Sequence, residues 1–220
     1  MRDNNTFKLT LIGFVMIVVD IETSGGDFEK CGILEIGAVD LFNPNNTFFE
    51  EARLGEEHYI INEKKFDKTV LQVLGKTEEE LRDKKKQTER ELIEHFLKWC
   101  DKIKIKNFIC FHPQFDYSFI WQKTLKYNLE LPVSHRNIDL HSVAILKYLQ
   151  INKEFPIKAD KLDFGLKRIL EFVGMTDERG AHNALEDAKL EAEAIFRIFY
   201  GKNLLDEYKK YKIPDYLINN

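Results

Sequence analysis

The chain predicts an α/β fold: a mixed five-stranded sheet that opens with a three-stranded antiparallel meander and continues as alternating helices and strands, with helices on both faces. Three observations carry this reading. An apolar run at 15–19, V-M-I-V-V, has the length and content of a buried strand. Two further strand-like segments follow, joined by the turn Asn43-Pro44-Asn45-Asn46. Beyond residue 88, helical periodicities alternate with short apolar runs. The 220 residues, 44% hydrophobic and 32% charged, suit one domain with a short appendage. The expected division is a domain at 7–200 and a tail at 201–220 packed on or near it.

The elements follow in order. Residues 1–6 are polar and expected to fray, and a strand start as early as Phe7 fits the pattern. Residues 15–25 form the organising strand and its end, and 24–32, with three glycines, form a loop. Residues 33–41 and 47–53 are antiparallel strands. At 63–74 the spacing of Phe66, Val70 and Leu74 predicts a helix that Gly75 ends. The charge run 78–86 reads as a solvated helix face or loop. Thr88-x-x-Glu91 is a capping box for a helix to Cys100, with Leu92, Phe96 and Trp99 inward. Residues 104–111 predict a fourth strand, 115–127 a helix, 132–139 a short fifth strand and 140–149 a helix. Helices at 161–173 and 184–200 are stopped by Gly174 and Gly201. The tail predicts a short helix or a strap.

Net charge is −4, so global charge offers no nucleic-acid footprint, although a local basic patch is compatible with an acidic centre. Cys31, Cys100 and Cys110 are widely spaced, match no zinc spacing and read as free thiols in a reducing compartment. The apolar stretch 9–19 imitates the middle of a signal peptide, but it runs into Asp20 and Glu22 and is too short to span a bilayer. The expectation is a soluble, cytoplasmic protein with no membrane association.

The candidate chemistry begins at the end of the first strand. Strand alternation puts Asp20 and Glu22 on one face, with Ile21 on the other. Adjacent like charges are costly, and a bound divalent cation removes that cost. Asp116 falls in the first turn of a helix just past a strand end, a place the helix dipole alone would favour for an acid. His182 precedes the last long helix and Asp187 lies in its early turns; alone, His182 reads as a capping or surface residue. Asn137-Ile138-Asp139 is a strand end of lesser interest.

Taken together the motifs resemble those of the DEDDh exonuclease family of the ribonuclease H-like superfamily, which includes the proofreading subunit of bacterial replicative polymerase and ribonuclease T. Asp20-Ile21-Glu22-Thr23 matches the first motif and Glu35-Ile36-Gly37-Ala38 its continuation on the second strand. Phe115-Asp116-Tyr117-Ser118-Phe119 matches the second, and His182-Asn183-Ala184-Leu185-Glu186-Asp187-Ala188 the third. The resemblance covers about residues 10–200. It implies a 3′–5′ exonuclease in which Asp20, Glu22, Asp116 and Asp187 hold two divalent cations, Mg2+ or Mn2+, with Asp20 bridging, and His182 serves as general base. It further implies a pocket for the terminal nucleotide from Thr23, Gly25, Gly26 and Ile36.

One departure is His112-Pro113-Gln114 before the second motif, where the family has a small pair after the histidine. Pro113 lacks an N–H, whereas Gln114 offers a side-chain donor. His112 reads equally as a packed strand-end residue or a substrate contact. The implied partners are single-stranded DNA or RNA 3′ ends, with DNA put slightly ahead. RNA or short oligoribonucleotides are one alternative, and a binding role beside a polymerase or other processing protein is another. Lys84, Lys85 and Lys86, and Lys102, Lys104 and Lys106, read as solvated faces rather than a phosphate track, and Tyr208, Tyr211 and Tyr216 as residues that pack the tail.

Overall fold

The computed structural model describes residues 16–60, 67–103 and 107–218. Phe7, Phe66, Lys104 and Lys106, and with them the expected starts of the first strand, the first helix and the fourth strand, lie outside the described residues. A five-stranded sheet has the order β3-β2-β1-β4-β5, built from β1 (Ile17–Thr23), β2 (Ile33–Asp40), β3 (Thr47–Glu51), β4 (Asn107–Cys110) and β5 (Ser134–Asp139). β1–β2 and β2–β3 are antiparallel, whereas β4 runs parallel to both β1 and β5. The meander and the mixed sheet are as expected.

β1 is the central strand, so both its faces are covered. Ile17, Val19 and Ile21 pack with Phe96 of α3 (Glu89–Asp101) and with Phe119 of α4 (Pro113–Lys126). On the opposite face, Val18 and Val39 pack with Leu140 of α5 (Leu140–Asn152) and with Ala188 and Ile195 of α7 (Ala184–Tyr200). The alternating parity of one apolar strand thus builds two cores.

The capping box forms as its spacing demands: Thr88 Oγ1 accepts from Glu91 N while the Glu91 carboxylate accepts from Thr88 N, and Leu92, Phe96 and Trp99 are buried. α1 (Asp67–Leu74) is followed by Gly75 at φ +62, the left-handed region glycine enters without a Cβ penalty. The charge run contains a real helical turn, α2 (Glu78–Leu81), capped by Thr77 and docked through buried Leu81. α4 begins at Pro113, two residues ahead of the expected start, because a proline at the first position surrenders no helical hydrogen bond.

The helix expected at 161–173 is corrected. Only α6 (Leu166–Phe172) is helical, and the residues before it form an antiparallel ribbon of β6 (Ile157–Lys158) and β7 (Lys161–Leu162). Ala159 and Asp160 at its tip have φ of 49° and 60°, the paired left-handed conformation of a tight two-residue hairpin.

The tail packs beneath α7. Glu193 and Arg197 form an ion pair at 2.7 Å with both side chains fully buried. Their remaining capacity is spent on the chain that follows and on the end of α6. Glu193 accepts from the N–H groups of Leu204 and Leu205, and Arg197 donates to the carbonyls of Tyr208, Tyr211 and Val173. Ile213 and Leu217, the latter in α8 (Asp215–Ile218), complete that core. Among the described residues no helix is long and apolar enough to cross a membrane.

Candidate active site

The C-terminal ends of the parallel strands β1, β4 and β5 share one edge of the sheet, where an α/β fold has room for a ligand. Asp20 and Glu22 leave β1 there on the face that α7 covers, opposite Gly37 and Glu35 of β2. Gly37 explains how α7 reaches them. A Cβ at this position would stand 2.1 Å from the backbone carbon of Ala184, so only glycine lets the start of α7 lie on the strand. Glu35, almost wholly buried, secures that contact by accepting from Ala184 N at 3.2 Å and Asn183 Nδ2 at 3.4 Å, while Lys76 Nζ approaches it to 2.5 Å. Asn183 caps α7 by accepting from Glu186 N, and His182 N donates to the Val73 carbonyl at the end of α1.

This framework brings the acids and the histidine together. His182 Nδ1 lies 3.2 Å from Asp187 Oδ2 and 3.5 Å from Glu22 Oε1. Asp116, buried in the first turn of α4, accepts from the Ile21 N–H, which docks it against β1 between the two first-motif acids. Burial and then the charges of Glu191, Asp116, Glu22 and Asp187 push the Asp20 carboxyl well above the usual carboxylate range. Burial lifts Asp116 to about 7, against the pull of its backbone donors. Glu22 is raised by burial, with His182 partly offsetting it. His182 is lifted to about 10 by its hydrogen bonds to Asp187 and Glu22.

Two participants were not singled out by the sequence. Glu191, one turn beyond Asp187, is buried, accepts from Phe111 N at 3.1 Å and is itself raised by burial and by Asp116 and Asp187. The signal for it is the spacing: Asp187 and Glu191 stand four apart on the alanine-rich inward face of α7. Arg179 donates to Asp187 Oδ1 at 2.8 Å and is gripped in turn by Asp177. Arg179 and His182 are cationic groups beside this cluster of five carboxylates, whose raised members reflect burial first and one another's charge second. A set of hard oxygen donors with excess negative charge fits Mg2+ or Mn2+.

The remaining expected site residues fall as follows. Thr23 Oγ1 donates to the Gly25 carbonyl at 2.8 Å, closing a turn in which Gly25 takes φ 150 and Gly26 is exposed with open space around it. The loop is held from beneath. Ser24 N and the Gly32 carbonyl bond at 2.9 Å, Lys123 Nζ donates to the Cys31 carbonyl, and Glu89 Oε1 accepts from Ile33 N at 2.6 Å. Glu89 also accepts from the Tyr127 hydroxyl at 2.5 Å and faces His58 Nε2 at 3.3 Å. Gln114 is exposed in the first turn of α4. Ile36 is a correction: with even–odd alternation it points away from Gly37's face into the α3–α4 core and is fully buried, so it offers a nucleotide no surface. The His112 ring packs on Phe111 and His141 beside β5.

Comparisons with known proteins bear on the family and the fold. Residues 17–195 match the exonuclease family RNase_T. No curated protein matches the sequence. Among solved structures, cell-death related nuclease 4 (CRN-4) is similar at 16% identity and TM-score 0.62, over 85% of this chain and 64% of that one. The nuclease domain of 3′hExo, a DEDDh family member solved with rAMP, is similar at 15% identity and TM-score 0.60, over 91% and 96%. E. coli Exonuclease I with a dT13 oligonucleotide is similar at 13% identity and TM-score 0.64, over 83% and 41%. The chain thus spans less than two thirds of CRN-4 and about two fifths of Exonuclease I, but nearly all of the 3′hExo domain. The match across most of its length, on a five-stranded mixed sheet that carries the Asp-Glu, Asp and His-Asp motifs, makes this chain a member of the exonuclease family RNase_T.

Proposed function

We propose that the protein removes nucleoside 5′-monophosphates from the 3′ end of single-stranded nucleic acid by metal-dependent hydrolysis, with DNA as the first substrate to test and RNA as the alternative. The observation that carries the reading is the convergence of Asp20, Glu22, Asp116 and Asp187 with His182 at the carboxyl edge of the sheet. The four acids would hold two divalent cations, Mg2+ or Mn2+. When bound, such cations polarise the phosphate, make water acidic enough to attack and stabilise the leaving oxygen.

The chain's own residues supply the rest. His182 sits in the loop ahead of α7 and accepts the proton of the attacking water. Its pKa of about 10 arises from Glu22 and Asp187, so it becomes a competent base near neutrality only when those carboxylates are engaged elsewhere. Thr23 and Gly25–Gly26 form a turn in which the open space at Gly26 leaves room for a terminal sugar and base, and Gln114 offers an amide donor to a phosphate beside α4. Stacking and sugar contacts of this kind hold an end without reading its sequence. The nuclease unit is taken as residues 7–200 with 201–220 as its tail. Support for the substrate class comes from the Exonuclease I and 3′hExo complexes, which contain an oligonucleotide and rAMP.

The test is digestion of 5′-labelled DNA and RNA oligomers of one sequence with Mg2+ or Mn2+. A ladder shortening from the 3′ side with mononucleotide release supports the reading, and the faster polymer names the substrate. Products cut internally or from the 5′ end, or no cleavage of either polymer in Mn2+, overturn it.

A further inference from the structure

A second cluster of ligand-type side chains lies at the same sheet edge, on the side of β5. Cys110 of β4 and Asp139 of β5 are register partners, so the residues that follow them are neighbours. One nitrogen each of His112 and His141 and one carboxylate oxygen of Asp139 all lie within 4.8 Å of one another. The two imidazole rings are 5.2 Å apart, with Phe111 against both.

Three features suit this cluster to a ligand. His112 Nδ1 is buried and has no hydrogen-bond partner, an arrangement that costs free energy unless something fills it. The Asp139 carboxylate is already oriented, because Oδ1 accepts from Ser142 N at 3.2 Å and Oδ2 from Ser142 Oγ at 2.5 Å. Such outer hydrogen bonds are what hold a metal-binding carboxylate in place, and an oxygen so engaged keeps a lone pair. The charge balance also fits, since two neutral imidazoles and one carboxylate leave a divalent ion with a net +1.

We propose that His112, Asp139 and His141 form a second cation site, separate from the carboxylate centre and selective for a zinc-class divalent ion over magnesium. Imidazole donors favour zinc, cobalt or nickel, whereas the all-oxygen set at Asp20 favours magnesium or manganese. Three protein ligands leave a coordination position open to water. The site joins the turn that begins α4 to the first turn of α5. A bound ion would therefore brace the helix start from which Asp116 and Gln114 project.

The test is calorimetric titration of Zn2+ into the full chain in excess Mg2+. It compares wild type, His141→Ala and an Asp20→Asn/Asp187→Asn double variant, with Co2+ absorption as a second reading. The expected result is one zinc bound by wild type and by the double acid variant, weakened at least about 10-fold by His141→Ala. Retained Mg2+-dependent hydrolysis by His141→Ala shows that its fold is intact. If that activity is lost, His141→Gln and the Co2+ spectrum of folded wild type decide: bands of four-coordinate cobalt support the site, and octahedral bands alone overturn it. Zinc binding unchanged in His141→Ala, or abolished by the double acid variant, overturns the proposal, as does the absence of any zinc binding. Only the fold control uses hydrolysis; the zinc and cobalt readings stand whether or not nucleic-acid hydrolysis is the protein's activity.

Discussion

Gly37 and Ala184 meet backbone to backbone: the carbonyl carbon of Ala184 occupies space that any side chain at residue 37 would claim. Gly37 is also the cross-strand partner of Asp20, so the contact that seats α7 is one strand away from the central acid. Gly37→Ala is expected to displace the His182–Asp187 segment, to destabilise the fold by about 1–3 kcal/mol and to cut hydrolysis by a larger factor than that loss of folded protein explains. Urea melts and specific activity on the same preparation check both halves.

The buried acids predict a pH dependence. Asp116 is lifted from 3.8 to about 7 in the fold, so folded protein keeps a proton that the unfolded chain releases above its ordinary value. Stability is therefore lost as pH rises from about 4 through about 7. Asp116→Asn is expected to raise the melting temperature of chelator-treated protein at pH 8 but not at pH 4, by roughly 2–4 °C per kcal/mol relieved, while abolishing hydrolysis. Mg2+ is expected to raise the melting temperature of wild type more at pH 8 than at pH 5. Thermal scans across pH, with and without the ion, give the comparison.

His182 acts in the same direction over a higher pH window. Its folded value of about 10 lies above the ordinary 6.5, so its pairing with Asp187 and Glu22 stabilises fully below 6.5 and is lost as pH rises through 10. His182→Gln in chelator is expected to be less stable than wild type at pH 6 and equal to it above pH 10. In Mn2+ the same variant is expected to lose about 10²–10⁴-fold in rate with metal affinity retained, because its loss removes proton transfer and leaves the oxygen donors. Equal rates for variant and wild type would remove the histidine from the chemistry.

The Glu193–Arg197 pair predicts that the tail is structural. Arg197→Leu strands a buried carboxylate and is expected to cost about 3–5 kcal/mol, more than Tyr216→Phe, which removes one hydrogen bond to the Phe172 carbonyl. Denaturant titration of the two variants checks the order.

Much of this architecture can be read locally. Thr88 and Glu91 signal their helix because both halves of the capping box lie within one turn, and the bounds of α7 follow from a polar cap before it and a glycine after it. The four first-, second- and third-motif acids and His182 are legible for the same reason, since each sits in a short pattern. What escapes is information held between elements. Glu191 looks like any helical glutamate until α7 lies on β1, and Gly37 gives no hint that Ala184 will cross it. The ribbon at Lys158 and Lys161 is hidden because its tip, Ala159-Asp160, takes left-handed geometry without glycine or asparagine to announce it. Ile36 is different: strand parity alone places it opposite Glu35 and Gly37, on the core side.

Glu89 has a reach that extends beyond its own helix. Through one carboxylate it ties the first turn of α3 to the start of β2, the C-cap of α4 and the segment around His58, and so fixes the end of the glycine loop that enters β2. Damage there would leave every acid of the cluster intact and still let sag the loop proposed to seat a terminal nucleotide. Such a lesion would betray itself as weakened hold on the polymer with ordinary cation uptake, the reverse of what a lost aspartate produces.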